Sequence, residues 1–158
     1  MCDSSIDSSR GPHVPRRILV IHGHPDRQRF CRALAASYAL GAREAGHCVE
    51  KIDLALDFPL LRSALEFERG RIPESLPAAQ EAIRKAEHVV FTFPLWLGTM
   101  PALVKGFLEQ MMRPGVAFAY RQGGFREKLM AGRSARIVVT MGIPCRRFST
   151  AVGMRPMA

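Results

Sequence analysis

No apolar run in this chain approaches the ~20 residues needed to cross a bilayer as a helix, which excludes a span of that kind. The opening stretch, MCDSSIDSSRGPHVPRR, lacks the apolar segment of a secretory leader. Met1–Pro15 is therefore expected to be a polar, flexible extension, and the protein cytoplasmic. Cysteine is sparse. Cys2, Cys31, Cys48 and Cys145 show no C-x-x-C spacing, so neither a zinc centre nor a disulfide framework is indicated, and free thiols are expected. Acidic residues are in deficit, 14 against 23 basic, giving a formal charge of +9. That raises the question of nucleic acid. However, 19 of the 23 basic residues are arginines scattered along the chain, with no aromatic residues interleaved in a basic stretch. The clustered footprint of a nucleic-acid binder is missing, and no nucleic-acid partner is expected. A positive field still suits an anionic cofactor. The glycine-rich fingerprint of a P-loop or dinucleotide site is missing too.

What is present is the composition of one globular domain: 158 residues, 47% hydrophobic and 23% charged. It is organised around His88–Met112, HVVFTFPLWLGTMPALVKGFLEQMM. Val89, Val90, Phe91 and Phe93 form a near-continuous apolar run, as in a parallel strand covered on both faces. Pro94 has no amide hydrogen to give a sheet ladder and should end the strand. Pro101 suits a helix start. Leu103, Phe107 and Met111, with Val104, Leu108 and Met112 beside them, mark one helical face. Between the prolines, Leu95–Met100 carries the only tryptophan, Trp96, at a carboxyl strand end. Open α/β sheets bind ligands there. Helix packing is the competing role for Trp96.

The rest of the chain fits around this unit. Arg17–His22 reads as a buried strand, followed by a turn at Gly23-His24-Pro25-Asp26. A helix follows to Glu44, with Asp26 as its expected N-cap, Phe30, Leu34 and Tyr38 as its stripe, and Gly46 as its stop. A helix start after a strand suits phosphate, and Arg27, Arg29 and Arg32 add positive charge. His24 has a competing role as a turn residue. Cys48–Leu54 alternates like a strand near the sheet edge. Ala55–Pro77 reads as irregular, with a helical turn or two in Arg62–Arg69, and Phe58, Leu60 and Leu61 are expected to cover the crevice. Ala78–Ala86 is a short helix. Arg113–Arg133 reads as one long loop, a length that is usually functional. Ala135–Thr140 is the fourth strand. Strands alternating with helices indicate a parallel sheet with helices on both faces. The ligand-facing loops are His24–Cys31, Pro94–Met100 and Thr140–Pro144.

On GHP at Gly23–Pro25, FPLWLGTMPALVKGF at Phe93–Phe107, PGVAFAY at Pro114–Tyr120 and GRSARIVVTMGIP at Gly132–Pro144, the chain resembles the flavodoxin-like NAD(P)H:quinone oxidoreductases that include modulator of drug activity B. The resemblance implies a flavodoxin-like, doubly wound parallel sheet in three α/β/α layers, spanning residues 16–144. It also implies a flavin, FAD rather than FMN, that accepts hydride from NAD(P)H and passes it to a quinone, with no catalytic side chain needed for the transfer itself. The first loop would hold the flavin phosphates, through His24, Arg29, Phe30 and Cys31. Pro94, Leu95, Trp96, Leu97 and Gly98 would lie along the isoalloxazine. Thr140, Met141 and Gly142 would offer backbone donors to its polar edge. A homodimer is the expected assembly, and no metal is expected.

Two departures from the family pattern stand out. Arg29-Phe30-Cys31 occupies the place of a serine, a phenylalanine and a small polar residue. Beyond strand four, the family runs through a tyrosine and a histidine near the ring, then a fifth strand and a last helix. Here Phe148 and Met154 fall near those two places, and residues 145–158 are expected to form a divergent tail without the fifth strand or last helix. The alternatives to a quinone oxidoreductase are a non-enzymatic subunit, like the transporter ancillary proteins among the family's relatives, or an inactive truncated form.

Overall fold

The structure, a computed structural model, describes residues 14–26, 30–54, 57–120 and 126–142. Their elements run β1 (Arg17–His22), α1 (Phe30–Glu44), β2 (Cys48–Asp53), α2 (Ala64–Arg69), α3 (Pro77–Lys85), β3 (His88–Pro94), α4 (Ala102–Met111), β4 (Phe118–Tyr120), β5 (Arg126–Lys128) and β6 (Ser134–Thr140). Four strands form one parallel sheet in the order β2-β1-β3-β6. The chain winds outward from β1 to β2, then crosses back to β3. That reversal opens a crevice between the carboxyl ends of β1 and β3.

Side chains alternate across β1 and divide the core in two. Leu19 and Ile21 join Leu76, Ala79 and Ile83 of the α3 region and Val104, Phe107 and Met111 of α4. Ile18 and Val20 join Ala35, Ala39 and Ala42 of α1 on the opposite face. Helices therefore cover both faces, as expected of a three-layer α/β/α arrangement. β3 ends at Pro94, and β2 lies at a sheet edge. Arg113, buried at the end of α4, donates to the carbonyls of Glu66, Gly70 and Arg71 and so fastens α4 to the end of α2.

Four expectations need correction. The buried stripe of α1 is Cys31, Ala35, Ala39 and Ala42, whereas Phe30 is largely exposed. Small residues let the helix lie close on the sheet, which the larger stripe would have prevented. Residues 113–133 are not one structureless loop, because β4 and β5 pair antiparallel within them. The segment after β2 packs on α4 rather than over the crevice. Phe58 lies 6.3 Å from Phe107 between ring centroids, and a Cβ at Gly106 would come within 2.6 Å of Leu60 Cδ2. Finally, Cys31 is a buried free thiol but Cys48 is disulfide-bonded, a link that sequence spacing does not signal. The expectations for residues 1–13, for Arg27 and Arg29, and for 143–158, Phe148 and Met154 among them, lie outside the described residues.

Candidate functional site

The site is built from the backbone outward. At the end of β1, Gly23 N donates to Thr92 O at 2.7 Å and extends the β1–β3 ladder into the first loop. This position requires glycine: a Cβ there would come within 2.5 Å of Val104 Cγ2 and 3.3 Å of Phe93 Cβ. Past β3, Leu95 N donates to Thr140 O at 2.8 Å, tying the second loop to the end of β6. Trp96 and Thr99 then exchange backbone hydrogen bonds, 2.9 and 3.0 Å long. Leu97 and Gly98 between them have φ of +49° and +81°. Two successive left-handed residues make a two-residue hairpin turn of type I′. Glycine adopts that conformation freely; leucine does so at a cost. Leu97 is also fully exposed at the tip.

The side chains converge across these loops. The His24 and Trp96 rings meet edge to face, with centroids 5.8 Å apart. His24 Nδ1 accepts from Asp26 N at 2.8 Å, which fixes the ring by a bond inside its own turn. Trp96 is 47% exposed, so it presents a half-open aromatic surface and is not a buried helix-packing residue. At the start of α1, Cys31 Sγ lies 2.8 Å from Thr140 Oγ1, linking the first loop's helix to the third strand end. Pro94 is buried, Met141 half-buried and Gly142 exposed.

Of the predicted residues, His24, Cys31, Leu95, Trp96 and Thr140 are joined by these contacts, with Pro94, Leu97, Gly98, Met141 and Gly142 on the same loops. Phe30 begins α1 and points largely to solvent. Sequence reasoning missed His22 and Asp53. The β1–β2 register places them opposite one another, with His22 Nδ1 3.5 Å from Asp53 Oδ1. Burial holds the His22 imidazole below the usual histidine range, and His24 and Arg32 push the same way, while Asp53 opposes them. A polar residue closing an otherwise apolar strand was the available signal. A cleft of about 650 Å³ lies elsewhere, between the α2 region and the outer side of α4, and is lined by Leu61, Phe67, Lys105 and Met112 among others. Among the described residues no cluster of potential ligands could hold a metal ion, and no helix is long and apolar enough to cross a membrane.

The arrangement offers an aromatic platform, a hydroxyl and a helix start beside Arg32, all at a strand-order reversal. It is suited to a planar, anionic ligand. Comparison with known proteins bears on the family and the fold. The Flavodoxin_2 family model, described as a flavodoxin-like fold, matches residues 16–157. The chain is 28% identical over 138 residues to NAD(P)H dehydrogenase [quinone] 1 of Rattus norvegicus, covering 72% of this chain and 50% of the relative. It is 40% identical over 58 residues to FMN-dependent NADH:quinone oxidoreductase 1 of Bacillus subtilis (strain 168), 37% of this chain and 27% of the relative. The solved NAD(P)H:quinone oxidoreductase from Methanothermobacter marburgensis superposes with a TM-score of 0.72 at 24% identity, over 89% of this chain and 74% of that one, a likeness of fold. The chain spans roughly half the length of the curated relatives matched along most of it.

Proposed function

The chain belongs to the Flavodoxin_2 family, and from that premise we propose that it binds a flavin where β1, β3 and β6 end and acts as an NAD(P)H:quinone oxidoreductase. The observation that carries this reading is the convergence of three strand-end loops, through the His24–Trp96 contact and the Leu95–Thr140 hydrogen bond. The residues present fit such a group. Trp96 and Leu97 supply an apolar, partly open surface for a flat ring system. Leu95, Thr140, Met141 and Gly142 border it with backbone and hydroxyl groups. His24, the start of α1 and Arg32 favour the phosphate end, because unpaired amides and the helix dipole attract anions. When bound, the flavin supplies two-electron chemistry between NAD(P)H and a quinone. The protein's part is to hold the ring, exclude water from one side and leave the other open to each substrate in turn.

The expected preference for FAD finds no support in the comparisons, since the relative above that names its flavin is FMN-dependent. We take FMN as the flavin. The expected homodimer and cytoplasmic location belong to this reading as well.

The test is reconstitution. Adding FMN to flavin-free protein should quench Trp96 fluorescence, and the complex should oxidise NAD(P)H when a quinone is present. Trp96→Ala should weaken FMN binding by about tenfold, ~1.4 kcal/mol. Unchanged affinity and turnover in Trp96→Ala would remove Trp96 from the site. Flavin binding without NAD(P)H oxidation would point to a flavin-binding subunit instead of an enzyme.

A further inference from the structure

A deeper reading of the same site, resting on the flavin assignment above, concerns the histidine that closes β1. Its neighbours along the sheet are Asp53 on β2 and Thr92 on β3. His22 is only 5% exposed, and neither ring nitrogen has a hydrogen-bond partner among the described residues. The 3.5 Å separation from Asp53 Oδ1 allows charge attraction but is too long for a well-formed hydrogen bond. A buried polar group left in this state is costly.

Among the described residues, the charged and titratable groups around the ring come from three elements. Asp53 faces it from β2, His24 from the first loop and Arg32 from α1. On β3, Thr92 is neutral and directs its hydroxyl to Ile21 O. The His22 and His24 rings stack with centroids 6.5 Å apart, so charge placed at the first loop is felt at His22.

We propose that His22 is a positioning residue that takes up one proton from solvent when an anionic flavin binds at the first loop, and then donates from Nδ1 to Asp53. No other bond is made or broken. Without the anion, burial above all, with the Arg32 cation pushing the same way, keeps the ring neutral. A flavin phosphate offsets that cation and favours the His22 imidazolium. The bond to Asp53 then draws the ends of β1 and β2 together beneath the loop that carries the ligand. Linkage fixes the sign: a ligand that favours the protonated protein binds more tightly as pH falls. The phosphate monoester of FMN itself titrates near pH 6 and acts in the opposite direction, so the two effects separate by sign.

Isothermal titration of the full chain with FMN, at pH 7 in buffers of different ionisation enthalpy, reads the protons taken up per flavin. The expected result is net uptake in the wild type, lost in His22→Gln and reduced in Asp53→Asn, with up to tenfold tighter wild-type binding per pH unit lowered. Imidazole nitrogen shifts of His22, followed by NMR in the wild type, give the same information without a variant: the ring should titrate at higher pH in the complex than in the free protein. No uptake by a protein that does bind FMN, uptake retained in His22→Gln, or an unmoved His22 titration would each overturn the proposal and leave the flavin reading intact. A wild type that binds no flavin would overturn both.

Discussion

At the amino end of β3, away from the site, His88 stands between Tyr38 Oη at 3.2 Å and Ser134 Oγ at 2.8 Å. The Arg136 guanidinium lies 5.9 Å from the centre of the Tyr38 ring. Burial, Arg136 and Arg16 hold the His88 imidazole below its ordinary value of 6.5. On acidification the unfolded chain therefore takes up its proton before the folded one. The stabilisation is complete above pH 6.5 and is lost as pH falls through the lower folded value. The urea midpoint of the wild type should fall between pH 7.5 and 5.5, and His88→Asn should make that fall smaller. An unchanged fall would place the sensitivity elsewhere. At this scale the sequence was legible where a residue type has few roles. Trp96 as the lone tryptophan and Pro94 as a strand stop are such cases. His22 was not legible, because its meaning depends on Asp53, and a β1–β2 register cannot be read from either strand alone.

The turn Trp96–Thr99 shows what the sequence conceals at the scale of an element. Gly98 announces a turn, but a leucine gives no sign of left-handed backbone. Such a conformation costs an ordinary side chain roughly 1–2 kcal/mol, and full exposure returns nothing through packing. Leu97→Gly should therefore leave thermal stability unchanged or raise it by up to ~1 kcal/mol, part of the relief being offset by the added freedom of the unfolded chain. Leu97→Ala, which keeps the strained backbone, should give no such gain. A marked loss in Leu97→Gly would mean that the side chain packs in solution. α1 was misread for a different reason. Both the Phe30–Leu34–Tyr38 face and the Cys31–Ala35–Ala39–Ala42 face have helical spacing, and only proximity to the sheet selects the small residues. β4 and β5 escaped notice because strands of three residues are too short to display alternation.

Across the molecule, the parallel sheet and its helical cover were legible because each buried strand is a compact apolar run punctuated by glycine or proline. Strand order came from topology, and the loops meeting at the reversal followed from it. Among the described residues, β6 pairs with β3 alone, and Ile137 is exposed on it. A strand paired on one side opens more readily than one paired on both. Amides of Arg136–Thr140 should accordingly exchange with deuterium faster than those of Val89–Phe93 in β3. Equal, strong protection of a monomer would show that β6 is covered by chain outside the described residues.

The hydrogen bonds from Leu95 to Thr140 and between Trp96 and Thr99 have a thermodynamic meaning for whatever settles beside them. Immobilising backbone costs ~1–2 kcal/mol per residue, so ordering Trp96–Thr99 at the moment of association would forfeit ~4–8 kcal/mol of the contact energy. Here that entropy has already been surrendered during folding, and a ligand meets a seat whose shape precedes its arrival.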